Sequence, residues 1–202
     1  MRFLALALDF DGTIAQNGRL VCSVRPAIAN LRAKGIVVLL VTGRRLDDLE
    51  RVTGGLQFAD AVVAEKGAAL TAPQSGYVRK LGSPPPGVLL ERMRASGIAF
   101  SAGSCLVEAD ASCATQILQI IQTSELPLTL AFNRSRVMVL PQGISKASGL
   151  EACRAMLRFS AHNTVAIRDA ENDHAMLAGA ELGVAVEWGS EALKPPRPRT
   201  SG

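Results

Sequence analysis

Aromatic residues are scarce in this chain of 202 residues, which has one tryptophan, one tyrosine and six phenylalanines. Hydrophobic residues still make up 48% of the sequence, so leucine, valine, isoleucine and alanine have to fill the interior. No stretch reaches the ~18 consecutive apolar residues of a membrane-spanning helix, and no membrane partner is expected. The length suits one full domain, or a core domain with a small insert.

Cysteine is also sparse, and its spacing does not suggest a metal site. None of the four cysteines forms a Cys-x-x-Cys pair, and they stand far apart, at Cys22, Cys105, Cys113 and Cys153. The apolar N-terminal run carries Asp9 and Asp11 where a signal peptide would have to continue, so none is expected. We therefore expect a cytoplasmic protein with small, buried, reduced thiols, and a zinc site is the less favoured alternative.

Acidic residues are missing from the last nine positions, KPPRPRTSG, which contain three cations. Subtracting these three from the net charge of +4 leaves +1 for residues 1–193. The excess of positive charge thus lies in a proline-rich tail and does not indicate nucleic-acid binding. Residues 194–202 are expected to be disordered, and a truncated or frame-shifted origin of this tail is a hypothesis.

Apolar runs that alternate with helical periodicity predict an α/β fold, a Rossmann-like three-layer parallel-sheet core. The core is expected in residues 1–71 and 143–193, and a small α+β insert in residues 72–142. The predicted core strands are Phe3–Leu8, Ile36–Val41, Ala61–Ala64, Thr164–Ile167 and Gly183–Val186, and the helices are Val24–Lys34, Arg45–Val52, Ala147–Arg158 and His174–Ala178. The insert is expected to contain helices Val88–Ala95 and Ala114–Ser124 and strands Cys105–Glu108, Leu128–Phe132 and Val137–Leu140.

Two carboxylates, Asp9 and Asp11, follow the first predicted strand in the stretch DFDGT. Side chains two residues apart in an extended segment point the same way, and close carboxylates repel unless a cation lies between them. A divalent ion would relieve this repulsion for one acid, and a raised pKa would suit the other as a proton donor. The alternative is an ordinary turn, in which Asp and Gly are common.

Polar groups also follow the other core strands, and ligands of α/β sheets bind at this edge. Thr42 offers a hydroxyl and Gly43 a backbone N–H to an anion, and the alternative for Thr42 is a helix cap. Lys146 is expected in the first turn of a helix capped by Ser145. An anion at that helix end would favour a lysine there, and the alternative is a solvated lysine.

The stretch RDAEND places Asp169 at a strand end, with Asn172 and Asp173 shortly after it. Oxygen ligands at this density suit Mg²⁺. The alternative is the first turn of a helix, where acids are favoured by the helix dipole.

The order DFDGT, TGR, a lysine in GISKASGL and then DAENDHAML resembles the haloacid dehalogenase-like (HAD) hydrolase superfamily. The insert between TGR and the lysine resembles the Cof-type branch with a C2-type cap. Phosphoglycolate, sucrose-phosphate and mannosyl-phosphoglycerate phosphatases belong to related branches. The resemblance extends over nearly the whole chain to about Trp188.

This resemblance implies hydrolysis of a small-molecule phosphate ester through an aspartyl-phosphate. Asp9 would be the nucleophile, and Asp11 would protonate the leaving oxygen and then activate water. Thr42 and the Gly43 amide would hold the phosphoryl oxygens, while Lys146 would neutralise negative charge on nucleophile and phosphate.

The resemblance also implies Mg²⁺ as the cofactor. Asp9, the backbone carbonyl of Asp11 and Asp169 would bind the ion, with Asp173 in direct or indirect support. Asn172 would steady this loop or the phosphate.

Two residues and the tail depart from the family pattern. Arg168 replaces a glycine before Asp169, where its side chain would crowd the metal loop or compete with Mg²⁺. The usual Glu-Asn-Gly-Ala is Glu65-Lys66-Gly67-Ala68 here, and Lys66 would face either substrate or solvent. Arg168 and the tail favour a second hypothesis, a catalytically decayed or regulatory phosphate-binding module.

Overall fold

The computed structural model describes residues 3–133, 135–169 and 180–186. Within them the chain forms a large sheet, a smaller sheet, a short hairpin and five α-helices. The strands are β1 (Ala5–Asp9), β2 (Ala15–Gln16), β3 (Arg19–Leu20), β4 (Val37–Val41), β5 (Ala61–Ala64), β6 (Ala69–Ala72), β7 (Tyr77–Lys80), β8 (Phe100–Ala102), β9 (Val107–Asp110), β10 (Leu128–Asn133), β11 (Arg136–Pro141), β12 (Thr164–Arg168) and β13 (Leu182–Ala185). The helices are α1 (Val24–Ala33), α2 (Leu46–Thr53), α3 (Gly87–Ala95), α4 (Ala114–Thr123) and α5 (Lys146–Leu157), with 3₁₀ turns at Glu65–Gly67, Ala111–Cys113 and Ala161–Asn163.

The large sheet has the strand order β13-β12-β1-β4-β5-β6-β7. Its first five strands are mutually parallel, and β6 and β7 extend it in antiparallel fashion. The predicted α/β fold is confirmed, and each of its five core strands is present with ends shifted by at most two residues. Because β1 lies between β12 and β4, the carboxyl ends of these three strands meet at one edge.

Apolar side chains cover both faces of the large sheet, which gives three layers. One face packs against Ile28 of α1 and Leu49 of α2, and the other against Leu150 and Cys153 of α5. Neighbouring residues of β1 alternate between these two cores. This alternation follows from the opposite directions of successive side chains in a strand.

The chain reverses direction after β5 through three residues with positive φ. The φ angles are 53° at Glu65, 55° at Lys66 and 107° at Gly67. As a result β6 returns antiparallel to β5. Sequence periodicity did not predict β6, β8 or the β2–β3 hairpin. Strand β7 joins the large sheet although it lies in the range 72–142 that was expected to form the insert, and that domain division remains a prediction.

The smaller sheet has the order β10-β11-β9-β8 and is antiparallel throughout. Helices α3 and α4 cover one of its faces through Met93 and Ile117, which pack with Val137 and Val139 of β11. The predicted strands Leu128–Phe132 and Val137–Leu140 are present and pair as β10 and β11, and the predicted strand Cys105–Glu108 is displaced to Val107–Asp110.

All four cysteines are free, and two of them, Cys105 and Cys153, are buried. Burial raises the pKa of Cys153 to about 12. The expectation of buried thiols is wrong for Cys22, which is exposed in the loop before α1. The described residues include no helix long and apolar enough to span a bilayer. The predicted helix His174–Ala178 and the tail 194–202 lie outside the described residues.

Candidate active site

A cleft of about 870 Å³ lies between the carboxyl edge of the large sheet and the smaller sheet. The large sheet contributes Asp9, Gly43 and Asp169 to its wall, and the smaller sheet contributes Glu108 and Arg136. Lys146 and Asp11 also line it. The described structure therefore brings together Asp9, Asp11, Gly43, Lys146 and Asp169, whereas Thr42 does not line the cleft. Asn172 and Asp173 lie outside the described residues.

Asp9 is the last residue of β1 and is almost completely buried. Its Oδ1 accepts hydrogen bonds from the Lys146 ammonium at 2.7 Å and from the Phe10 N–H at 2.9 Å. Lys146 begins α5, and Ser145 caps this helix through a reciprocal pair of hydrogen bonds with Ser148. The alternative of a solvated lysine is wrong, because Lys146 is 7% exposed.

Asp169 follows β12 and approaches Gly12 very closely. A Cβ on Gly12 would lie 1.6 Å from Oδ2 of Asp169, and the φ of Gly12 is 76°. The Oδ1 of Asp169 is buried and accepts no hydrogen bond in the described structure. Burial, followed by the negative charge of Asp9, raises the pKa of Asp169.

These carboxylates fit a divalent cation in part. Asp9 and Asp169 provide hard oxygen donors that a cation would stabilise, and the buried Oδ1 of Asp169 has no hydrogen-bond partner within the described residues. Among the described residues no three His, Cys, Asp or Glu side chains are close enough to hold a metal ion. The predicted third carboxylate, Asp173, lies outside those residues.

Asp11 is held by Arg44 in a two-pronged ion pair. The Arg44 Nε and one terminal nitrogen donate to the two Asp11 oxygens at 2.8 and 2.7 Å. Arg44 also donates to Asp48 at 2.7 Å and stacks over the Phe10 ring. Hydrogen bonding to Asp11 is the main cause that raises the pKa of Arg44, which therefore stays charged.

The loop after β4 presents Thr42 and Gly43 at the sheet edge. Thr42 is buried, and its Oγ1 accepts a hydrogen bond from the Arg44 N–H at 3.1 Å. The structure does not use Thr42 as a helix cap, since Arg45 is the N-cap residue of α2. Gly43 lines the cleft with its backbone.

Glu65 joins the two sheets directly. Its carboxylate is 2% exposed and accepts hydrogen bonds from the backbone N–H groups of Ser104 and Cys105 at 2.9 and 2.8 Å. Gly103 permits this approach, because a Cβ there would lie 2.8 Å from a Glu65 oxygen. The next residue, Lys66, is 9% exposed and lines the cleft, so it does not face solvent.

Arg168 ends β12 next to Asp9 of β1 and is completely buried. None of its three guanidinium nitrogens makes a hydrogen bond in the described structure. A buried charge without partners destabilises a folded protein. Arg168 does not line the cleft.

Sequence reasoning missed Arg44 and the Arg136–Glu108 ion pair of 2.9 Å as parts of this site, and it left open whether Lys66 faces substrate or solvent. Arg44 had a detectable signal, since it directly follows Thr42 and Gly43 and stands four residues before an acid. Arg136 and Glu108 had none, because their pairing depends on the register of β9 and β11.

A doubly wound α/β fold with a buried carboxylate and lysine at the sheet edge defines a class of proteins that bind and transform ligands there. The family model of the haloacid dehalogenase-like hydrolases matches residues 6–81 and 98–196. The chain therefore belongs to the haloacid dehalogenase-like hydrolases, and the predicted resemblance is confirmed.

Individual relatives agree with this assignment. The phosphoglycolate phosphatase of Methanosarcina mazei is 27% identical, and the match covers 96% of this chain and 88% of the relative. A haloacid dehalogenase-like hydrolase from Bacteroides thetaiotaomicron is 17% identical and superimposes with a TM-score of 0.79, covering 95% of this chain and 91% of that one. A HAD subclass IIB sugar phosphatase has a TM-score of 0.71 at 17% identity, covering 94% and 89%.

Proposed function

We propose that this protein is a Mg²⁺-dependent phosphomonoester hydrolase that acts on a small phosphorylated metabolite through an aspartyl-phosphate. The observation that carries the proposal is the buried pair of Asp9 and Lys146, with Nζ and Oδ1 2.7 Å apart in the wall of the cleft. The Lys146 ammonium supplies positive charge beside the attacking oxygen for an incoming phosphate.

In the proposed reaction an oxygen of Asp9 attacks phosphorus while the bond from phosphorus to the ester oxygen breaks. Asp11 donates a proton to the departing oxygen and then accepts one from the water that attacks the phospho-aspartate. The second attack breaks the bond between Asp9 and phosphorus and releases inorganic phosphate. Thr42 and the Gly43 N–H would bind the phosphoryl oxygens, and Asn172 would support them.

The ion pair between Asp11 and Arg44 bears on the proton transfer. The two hydrogen bonds from the Arg44 guanidinium occupy both Asp11 oxygens, whereas the first step needs one of these oxygens to approach the leaving group with a proton. A substrate phosphate that draws Arg44 towards itself would loosen this pair and permit the proton transfer. Arg44 would then act as a positioning residue for Asp11.

Asp9, the backbone carbonyl of Asp11 and Asp169 would hold the Mg²⁺ ion, with Asp173 in support. The unsatisfied Oδ1 of Asp169 and its raised pKa support a cation at this place. When bound, the ion would neutralise charge between the nucleophile and the phosphate.

The substrate is proposed to be a sugar phosphate or a phosphorylated organic acid. Phosphoglycolate is the first compound to test, because the relative from Methanosarcina mazei is named a phosphoglycolate phosphatase. We propose that the smaller sheet with α3 and α4 acts as a cap over the site. A cytoplasmic location is proposed from the four free cysteines.

The test compares the wild type with Asp9→Asn, using p-nitrophenyl phosphate and Mg²⁺. We expect the wild type to release p-nitrophenol and the variant to lose this activity by a factor of at least about 10³, since the nucleophile is gone. The matched control Asp60→Asn removes an acid that pairs with Arg32 outside the cleft. Equal rates for wild type and Asp9→Asn would refute a phosphatase.

The alternative is a decayed or regulatory phosphate-binding module. Arg168 favours it, because its guanidinium is buried and makes no hydrogen bond within the described residues. Binding of inorganic phosphate together with equal, background-level hydrolysis by both proteins would support this alternative.

A further inference from the structure

Lys66 has a backbone conformation that lysine rarely adopts. Its φ is 55° and its ψ is 26°, in the left-handed region, where any residue with a Cβ except Asn and Asp is disfavoured. Asparagine, the usual residue in this family motif, would fit this conformation better. Position 66 thus carries a positively charged side chain although its backbone conformation is unfavourable for lysine.

Contacts on several sides fix this backbone. The Lys66 N–H donates to the Thr42 carbonyl at 3.1 Å, and the Glu65 N–H donates to the Arg44 carbonyl at 2.8 Å. Gly67 lies so close to α5 that a Cβ on it would be 1.9 Å from a backbone oxygen of the helix cap. Residue 66 therefore keeps its left-handed conformation whichever side chain it carries.

The Lys66 side chain extends along Gly43, in the loop after β4. Its Cγ and Cε lie 3.5 and 3.9 Å from the place that a Cβ on Gly43 would occupy, and Met138 of β11 approaches the same place to 3.7 Å. The lysine and the smaller sheet thus meet beside Gly43, in the wall of the cleft. A substrate with its phosphoryl group at Gly43 has to extend past this point.

We infer that Lys66 binds a second anionic group of the substrate, a carboxylate attached to the alcohol part of the phosphate ester. This inference rests on the proposed function and selects phosphorylated organic acids over neutral sugar phosphates. An ammonium ion in a largely buried wall pairs strongly with a carboxylate. A disfavoured backbone conformation that the surroundings enforce is typical of residues kept for ligand binding.

The experiment measures binding in the absence of turnover, in the Asp9→Asn background with Mg²⁺. Calorimetry gives the Kd of phosphoglycolate and of ethyl phosphate, which lacks the carboxylate, with and without Lys66→Asn. Asparagine suits a positive φ, so this variant is expected to fold. We expect the Kd of phosphoglycolate to rise roughly tenfold more than the Kd of ethyl phosphate.

The matched control is Arg158→Asn. Arg158 is a cation with φ of 60° that is exposed at the end of α5 and does not line the cleft. Its replacement should leave both Kd values unchanged.

Two results would overturn the inference. Equal weakening of both ligands by Lys66→Asn would place the lysine on the phosphoryl group. A Kd of phosphoglycolate that Lys66→Asn leaves unchanged, or undetectable binding of phosphoglycolate when Lys66 is present, would show that Lys66 does not recognise the carboxylate. Failure of the proposed function is a separate result, because it consists of equal hydrolysis by wild type and Asp9→Asn.

Discussion

At the scale of single residues, the carboxylate of Asp169 occupies the space that a side chain at position 12 would need. Gly12 follows β1 and Asp169 follows β12, so residues far apart in the sequence meet at this point. Gly12 is therefore required for two reasons, its φ of 76° and its distance from Asp169. Either reason alone would disfavour alanine.

We predict that Gly12→Ala destabilises the protein by about 2–4 kcal/mol, from the left-handed backbone and the overpacking against Asp169. Phosphatase activity should fall as well, because Asp169 has to move. Gly35→Ala is the matched control, since Gly35 has a φ of 80° but no atom within 4 Å of its Cβ position. It should cost only about 1 kcal/mol in urea unfolding and retain activity. Similar losses for both variants would contradict the argument from the close approach.

At the scale of elements, the turn of residues 65–67 determines how the two sheets are attached. Its reversed backbone turns β6 antiparallel and places the Glu65 carboxylate against the loop between β8 and β9 of the smaller sheet. Because the acceptor is charged and the donors are two backbone N–H groups, this contact is stronger than an ordinary hydrogen bond.

Glu65→Gln should weaken this attachment. An amide keeps one acceptor oxygen and presents an NH₂ group to the second N–H donor, so we expect a loss of about 1.5–3 kcal/mol in unfolding free energy. Amide hydrogen exchange at Ser104 and Cys105 should accelerate, and exchange in β12 should change less. Glu91→Gln, an exposed position in α3, serves as the control. Unchanged exchange at Ser104 and Cys105 would show that this contact does not join the sheets.

At the scale of the whole molecule, the parallel sheet could be predicted because each core strand is a short apolar run followed by a polar group. The same rule placed Asp9, Thr42 and Asp169 at one edge. Periodicity could not predict β6, because its direction depends on three consecutive residues with positive φ. It could not predict the Arg44–Asp11 pair either, since that contact depends on the side-chain geometry of two separate loops.

The stability of the whole chain should depend on pH and Mg²⁺ through Asp169. Burial and the charge of Asp9 raise its pKa in the folded state, so the native protein binds this proton more tightly than the unfolded chain. Its contribution to stability is present below the ordinary pKa of an aspartate, about 3.9, and is lost as pH rises through the raised value. A bound cation favours the ionised form and would reverse this loss above that pH.

We therefore predict that Mg²⁺ raises the Tm of the wild type at pH 7.5 and much less at pH 4, measured against potassium chloride of equal ionic strength. Asp169→Asn lacks the titrating carboxyl group, so Mg²⁺ should leave its Tm nearly unchanged at both values. In the absence of Mg²⁺ the wild type should lose stability relative to Asp169→Asn as the pH increases from 4 to 7.5. An equal effect of Mg²⁺ on both proteins would place the cation elsewhere, whereas a difference confined to high pH would locate it at the carboxylate beside Gly12.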